Sequence, residues 1–462
     1  MKKDVSLKES IFLLVVLLAI IGACIIGLGL PPQIPILIAI GIVVVFAKVK
    51  GFSWDTIHDG ISNGIIPGLI PILIFMLIGI LVSVWIAAGT IPTIMIYGFK
   101  VLSIKFFLPS VFVICALVGI TVGSSFTTIS TVGIALLGMG QMMGFDAALT
   151  TGAIVSGAYL GNNISPLSDT ANLASAIAEV DLFEHIRSMM KTIIPAFIIS
   201  LIFFAMIGFG ETGAAGSEID ELIQTLHSSF NVSALTLIPV LVLFLCAAKK
   251  VPAIPTLLLS VTVTIGVIYF YQPSTSFAQI ATYMQDGYIS NTGVPTVDEL
   301  LTRGGMQSMM WSVSLILLAL ALGGLLVELK IIEKLIAKIS NMVSAKGNLI
   351  FMTGLSSIGV NILLGEQYLS IILPGKAFKS QYEAINLDTK NLSGILANAG
   401  AAVNPLVPWG VSGVFIAGTL GVSTLHYLPF TIFSLSVPII HIFLGYMGKR
   451  KEQELKEYRK AG

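Results

Sequence analysis

The chain has 462 residues, 55% of them hydrophobic and only 11% charged, with a formal net charge of +1. Soluble domains carry about 25% charged residues, so the composition excludes an ordinary soluble domain and indicates an all-α polytopic membrane protein. The balanced charge offers nothing to a nucleic acid, and Cys24, Cys115 and Cys246 all lie in apolar runs, which argues against a disulfide set or a metal site.

The first apolar stretch follows "MKKDVSLKES" and runs from about Ile11 to Leu30. It is too long for a signal h-region and no clear cleavage site follows, so it reads as a first transmembrane helix. A spanning helix needs roughly 20 apolar residues. Further candidates lie near 33–48, 66–88, 106–122, 192–209, 233–248, 252–271, 308–329 and 427–448. Four apolar regions, 90–104, 123–160, 346–375 and 391–420, are interrupted by Gly, Ser, Thr, Asn and Pro. Broken helices or re-entrant hairpins are expected there, because irregular backbone at membrane depth must be covered by protein or water. The total is about 10–13 membrane segments. The polar stretches 210–232 and 272–304 read as extramembrane loops with short amphipathic helices.

Basic residues set the orientation. Lys2, Lys3 and Lys8 precede the first helix, and Lys48 and Lys50 end the second. Arg187, Lys191, Lys249, Lys250, Lys330, Lys334, Lys338 and Lys346 follow at alternate ends, and "KRKEQELKEYRK" closes the chain. The loops 210–232 and 272–304 offer only Arg303. Both termini are thus placed in the cytoplasm, with Lys100 and Lys105 as exceptions, outside or at the interface.

The chain also resembles itself. "GSSFTTISTVG" (Gly123–Gly133) aligns with "GEQYLSIILPG" (Gly365–Gly375), and Pro166-Leu167 aligns loosely with Pro405-Leu406, at offsets of 242 and 239. Counting from the lysines, the first copy starts inside near Asn63 and the second outside near Gly305. Opposite orientation is the plan of inverted-repeat transporters, whose sites lie near the midplane on discontinuous helices. The expected division is 1–62, N-terminal helices; 63–190, repeat 1; 191–304, connecting helices and extracytoplasmic loops; 305–426, repeat 2; and 427–462, a C-terminal helix with a basic cytoplasmic tail.

The run "GNNISPLSDTANLA" carries Asn162, Asn163, Ser165, Ser168, Asp169 and Asn172 inside this greasy context. Unwound carbonyls and neutral side-chain oxygens with one carboxylate suit Na+ or a hydrogen-bonded organic solute, and do not suit zinc. The competing reading is a polar loop in which Ser168 or Asp169 caps a helix. Ser124, Ser125, Thr127 and Thr128 either touch the ion or are small-residue helix packing. In the second half, "VNILLGEQYLSIILPG" supplies Asn361, Glu366, Gln367 and Ser370. An intramembrane Glu366 is a functional hypothesis by default, as a proton carrier, or else it is satisfied by local N–H groups at a helix break. Glu328, beside Lys330, is interfacial or buried and functional. "LANAGAAVNPLVPWG" adds Asn398, Asn404 and Trp409, the last an interfacial anchor or a lid. The five histidines stand at ends, in loops or alone. No P-loop motif is present, so ATP is not an energy source within this chain.

At these residues the sequence resembles the NhaC-type Na+/H+ antiporter family, which includes Na+-linked malate/lactate exchangers. The pieces are "WIAAGTIPT", "GSSFTTISTVGIALLGMG", "GAYLGNNISPLSDTANLA", "VDLFEHIR", "GEQYLSIILPG" and "NPLVPWGVSG", spanning about 65–420. The resemblance implies two inverted repeats with re-entrant hairpins and a dimer with a moving transport domain. The sequence departs from the family pattern at Asn162, where the family usually has Asp. It departs again at Ala397-Asn398-Ala399, in place of an acidic pair, and at Glu366, often Asp. Asparagine cannot release a proton, so Na+ binding survives these changes better than proton coupling.

The expected function is a secondary active Na+-coupled transporter, exchanging Na+ for H+ or an organic acid. The alternative is Na+-driven transport of an amino acid or carboxylate without proton exchange, and a passive channel ranks third. No enzyme activity and no cofactor are expected beyond Na+ as coupling ion, with Asp169 as its ligand. The partners are Na+, H+ or a small organic solute, the plasma-membrane bilayer, and a second copy in a homodimer.

Overall fold

The computed structural model describes residues 5–210, 216–341 and 345–461, with side chains to Met447 except at 26, 209–210 and 216–218. Lys2 and Lys3, the side chains of the basic tail and part of the 210–232 loop lie outside the described residues. The described chain is helical throughout, with a single isolated bridge between Tyr288 and Arg303. Among the described residues, seven helices are long and apolar enough to cross a membrane, or up to nine if two bent pairs each count as one span. Gln33–Val49 and Leu235–Ala248 are shorter apolar helices.

Local chemistry explains where helices start. Ser6 and Glu9 form a reciprocal capping box at the first helix, and Ser53 caps Trp54–Ile65 by accepting from the Thr56 N–H at 3.1 Å. Burial separates lipid-facing spans from core spans. Only 28% of Leu7–Ile25 and of Leu182–Gly208 is buried in protein, against 56% of Gln307–Glu328 and of Lys346–Leu364. Phe12, Leu28 and Met206 stand about 70% exposed. Apolar side chains turned outward all along a helix need lipid as their solvent.

Two glycine-lined crossings hold the core. Gly157 and Gly161 let Ala147–Ile164 lie against Phe107–Val122: a Cβ at Gly161 would stand 2.4 Å from the Ala116 carbonyl oxygen. Trp54–Ile65 meets Met310–Glu328 in the same way, with a Cβ at Gly64 falling 2.4 Å from the Leu320 oxygen. Small residues at such crossings bring backbones close where hydrocarbon offers no hydrophobic drive. Phe75, Phe126 and Phe415 join the halves, with ring centroids 4.6–5.6 Å apart.

The order of elements recurs. Phe107–Val122 ends at Gly123 and Lys346–Leu364 ends at Gly365, both with positive φ (71° and 68°). A Cβ is disfavoured in that conformation, so glycine ends both helices. Next come Ser125–Met142, taken through a π-turn at Ile129–Gly133, and Gln367–Ala384. Asp146 then caps Ala147–Ile164, and Asp388 caps Thr389–Ile395 with its π-turn Leu396–Ala401. Asp169–Ile177 and Val411–Leu420 close the two series. From Gly123 and Gly365 onward the corresponding elements start 242 positions apart, so Asn162 corresponds to Asn404 and Pro166 to Pro408. The looser alignment of Pro166-Leu167 with Pro405-Leu406 is therefore three residues out of register, because identity between prolines outweighed helix phase.

Other features are local. The region 346–375 is interrupted at Gly365, between the continuous helix Lys346–Leu364 and Gln367–Ala384. The last span bends by 57° between Thr424–Phe430 and Ile432–Met447. The loop 272–304 does contain short helices, Phe277–Asp286 and Pro295–Leu301.

Candidate functional site

The break after Ala147–Ile164 is built from the chain's own polar side chains. Ser165 Oγ donates to the Ile120 carbonyl at 2.7 Å, which ties the loop to the neighbouring helix. Ser168 accepts from the Ala171 N–H at 3.3 Å and so caps Asp169–Ile177. Asn172 Nδ2 donates to the Pro166 and Ser168 carbonyls at 3.1 and 2.6 Å. With the cap supplied by Ser168, Asp169 is released from that duty. It is exposed, one oxygen accepting from the Thr170 N–H at 2.8 Å and the other from the Tyr368 hydroxyl.

That contact crosses from the first half to the second. Ser124 and Glu366 occupy equivalent cap positions just after Gly123 and Gly365. Ser124 accepts from the Thr127 N–H at 3.2 Å, and Glu366 from the Leu369 N–H at 2.8 Å. The two helix starts place Ser125 with Thr127 and Gln367 with Tyr368 on a common cavity of about 570 Å³. Its polar lining is Ser124, Ser125, Thr127, Asn162, Asp169, Asn172, Thr256, Gln367 and Tyr368, together with Lys250. Asp169 is the one carboxylate among these lining residues. A carboxylate surrounded by hydroxyl and amide oxygens can strip and replace the hydration of a hard monovalent cation.

The remaining candidates do not line this cavity. Thr128 Oγ1 donates to the Ser124 carbonyl at 2.9 Å, and Ser370 Oγ to the Gln367 carbonyl at 2.6 Å. Glu366 is 3% exposed and serves as a helix cap, the local reading of that residue. Asn361 and Asn404 lock the second break. Asn404 Nδ2 donates to Asn361 Oδ1 at 2.9 Å, Asn404 Oδ1 accepts from the Ser412 N–H at 2.9 Å, and Asn361 Nδ2 donates to the Gly400 carbonyl at 2.6 Å. The π-turn leaves that carbonyl without its ordinary helical donor, and the asparagine supplies one. Trp409 donates to the Ile362 carbonyl at 2.7 Å, which pins the break to the preceding helix.

Asn163 and Asn398 meet across 235 residues, Asn163 Nδ2 donating to Asn398 Oδ1 at 3.3 Å. Asn398 Nδ2 donates on to Thr192 Oγ1 at 3.1 Å and to His441 Nδ1 at 3.0 Å. The histidines are thus not all isolated: His441 and His185 are both buried, and His185 Nδ1 lies 2.9 Å from Ser393 Oγ. Tyr368, Lys250, Thr192 and His441 were missed by the motif reading. Tyr368 sits inside the quoted "GEQYLSIILPG", where an aromatic hydroxyl directly after Glu366 and Gln367 was the available signal. The others are brought in by folding alone.

Comparison with known proteins agrees with this architecture. Residues 157–449 match the model of the Na+/H+ antiporter family. The chain is 41% identical over 99% of its length to the Na+/H+ antiporter NhaC of Alkalihalophilus pseudofirmus, covering all of that protein. It is 38% identical over 97% of its length to the Na+/H+ antiporter NhaC of Bacillus subtilis, covering 99% of it. The malate-2H+/Na+-lactate antiporter of Bacillus subtilis is 32% identical over 97% of this chain and 96% of its own. On family model and full-length similarity together, this multi-pass membrane chain belongs to the Na+/H+ antiporter family.

Proposed function

We propose that the chain exchanges Na+ for H+ across the plasma membrane, with Na+ bound in the Asp169 cavity between two inverted repeats. The observation that carries this reading is the lining itself. A single accessible carboxylate stands among neutral oxygens drawn from both halves, two helix breaks apart. The repeated order of elements supports a site on discontinuous helices near the midplane. The lysines at 48, 50, 249, 250, 330, 334, 338 and 346 support a cytoplasmic face at that end and cytoplasmic termini.

A second reading, exchange of Na+ for an organic carboxylate, is favoured by Lys250. It lines the same cavity, and about 570 Å³ is far more than one Na+ fills. The malate/lactate relative handles such solutes. Purified protein in proteoliposomes with an imposed Na+ gradient separates the two. Internal pH and uptake of labelled amino and carboxylic acids are followed together. Na+-driven pH change without added solute is the expected result. Solute flux that requires Na+ and leaves pH unchanged would transfer the assignment to the second reading, and Lys250→Ala would then abolish the flux.

A further inference from the structure

We infer that a second cavity, of about 600 Å³ and separate from the Asp169 cavity, holds the phosphate headgroup of an anionic phospholipid whose acyl chains run along the lipid-facing helices below it. Such binding does not depend on which ion the chain carries. Three ammonium groups line the cavity, each from a different element: Lys191 from Leu182–Gly210, Lys346 from the start of Lys346–Leu364, and Lys390 from Thr389–Ile395. Asp388 is the one carboxylate among the lining residues. Lys390 is paired with Glu184 at 2.9 Å and lies 3.9 Å from Asp388, so its charge is largely met within the protein. Lys191 is exposed and makes no ion pair among the described residues. Three cations against these two anions leave a net charge of +1, which one phosphodiester group neutralises while offering its oxygens to the ammonium donors.

Depth places these cations at the headgroup level. Lys191 immediately precedes the apolar run 192–209, Lys346 opens an apolar helix, and Met447, also in the lining, ends the described part of the apolar run 427–448. Below the cavity, two helices turn apolar side chains to the bilayer. Lys191 heads a face that continues with Ile194, Ile198 and Ile202, each about half exposed. Met447 ends a face that carries Ile439 and Phe443, both more than half exposed. Spacings of three and four residues keep each set on one side of its helix. Apolar stripes alone would accept any lipid. Lysines gathered between spanning helices at the head of those stripes select an anionic one. A free phosphate would satisfy the lysines and leave the stripes unused.

The walls of the cavity are fixed by the fold. Tyr446 crosses from the last helix to Lys346–Leu364. Its ring covers Gly347, where a Cβ would fall 2.5 Å from it, and its hydroxyl donates to Asn348 Oδ1 at 2.8 Å. Thr192 and His441 form a buried wall, and both already bond Asn398 Nδ2, at 3.1 and 3.0 Å. The buried polar groups are thus met by protein, and the headgroup is left to the lysines.

The test uses the full chain, purified in neutral detergent and stripped of lipid. Thermal melts are recorded against added phosphatidylglycerol, phosphatidylcholine with the same chains, glycerol 3-phosphate and inorganic phosphate. Phosphatidylglycerol should raise the melting temperature in a saturable way, because a ligand bound only by the native state stabilises it. Zwitterionic phosphatidylcholine should not. An equal shift with phosphatidylcholine would mean an ordinary lipid annulus and would overturn the inference. Inorganic phosphate or glycerol 3-phosphate giving the full shift and displacing the lipid would make this a free-anion site and overturn the lipid assignment. Lys191→Gln keeps a hydrogen-bonding group and removes the charge. It should melt like wild type without lipid and bind phosphatidylglycerol about tenfold more weakly, the loss of one hydrogen bond to a charged group. Lys191→Arg should keep the wild-type affinity. Lys249→Gln, an exposed lysine outside this cavity, should stay within about threefold of wild type. Unchanged phosphatidylglycerol affinity in both Lys191→Gln and Lys346→Gln would overturn the site.

Discussion

Replacing Asp169 by Asn tests the cavity at its one charge. The substitution keeps shape and one oxygen, and removes a unit of negative charge. Two unit charges about 4 Å apart interact by about 1 kcal/mol in bulk water and about 4 kcal/mol at the effective dielectric of a protein surface. Asp169 is exposed to the cavity, so the value falls between these limits rather than at the buried extreme. A loss of about 2 kcal/mol, inside that range, weakens Na+ binding roughly thirtyfold. The Thr170 N–H can still bond the amide oxygen, so helix Asp169–Ile177, capped by Ser168, should not unwind. Calorimetric Na+ titration at pH 8.5 reads the affinity, and a thermal melt without Na+ reads the fold. Tyr368→Phe frees the second carboxylate oxygen and should shift Na+ affinity by about tenfold or more, a hydrogen bond to a charged group being worth about 1.5–3 kcal/mol. An Asp169→Asn protein that binds Na+ within about twofold of wild type, less than half a kcal/mol, would refute the assignment.

Further substitutions test the scaffold. Asn404→Ala leaves the Ser412 N–H and Asn361 Oδ1 buried without partners and should cost about 2–5 kcal/mol, seen as a lowered melting temperature; an unchanged melt would contradict the locked-break account. Gly64→Ala pushes a methyl to 2.4 Å from the Leu320 oxygen and should destabilise by about 1–3 kcal/mol through separation of the two helices, whereas Gly41→Ala, with open space around it, should not. Outside the membrane, the Thr292 N–H, aided by the Ser290 and Thr292 hydroxyls and the Gly293 N–H, holds the Asp298 carboxyl below its ordinary value. A depressed folded pKa means that the loop's stabilisation is complete above the unfolded value of about 3.9 and is lost as pH falls through the folded one. Amide exchange at Thr292 and Gly293 should therefore stay slow at pH 5 and quicken in stronger acid; Asp298→Asn should exchange fast already at pH 5, and equal protection would reject the clasp.

Much of the architecture is legible from residues alone because the bilayer imposes it. Apolar length marks spans, and glycine with a polar follower marks the breaks at Gly123 and Gly365. The site was legible as a composition but not as an arrangement. Ser165, Ser168, Ser370 and Trp409 look as promising as Ser125 in sequence, yet each closes a local or neighbouring backbone group. No local signal distinguishes a hydroxyl that caps from one that faces a cavity. Asn163 and Asn398 are related only through helix packing, as are Asn398 and His441, so spacing rules for histidine had nothing to register. The three-residue slip between Pro166 and Pro405 has the same origin: helix phase is set by the Asp146 and Asp388 caps, not by matching prolines. Asn162, read first as a lost carboxylate, lines the cavity and donates to Thr170 Oγ1 at 3.1 Å. It helps hold the loop that presents Asp169.

The central claim is that Na+ and protons are linked in a chain that carries amides at 162 and 398. The most direct measurement is the number of protons released per Na+ bound, obtained by calorimetry of the purified protein in buffers of differing ionisation enthalpy. Linked binding predicts release that rises from near zero at alkaline pH to a substantial fraction of a proton near pH 6.5, and loss of the Na+ heat in Asp169→Asn. Na+ binding of full affinity with no proton release at any pH would contradict the account.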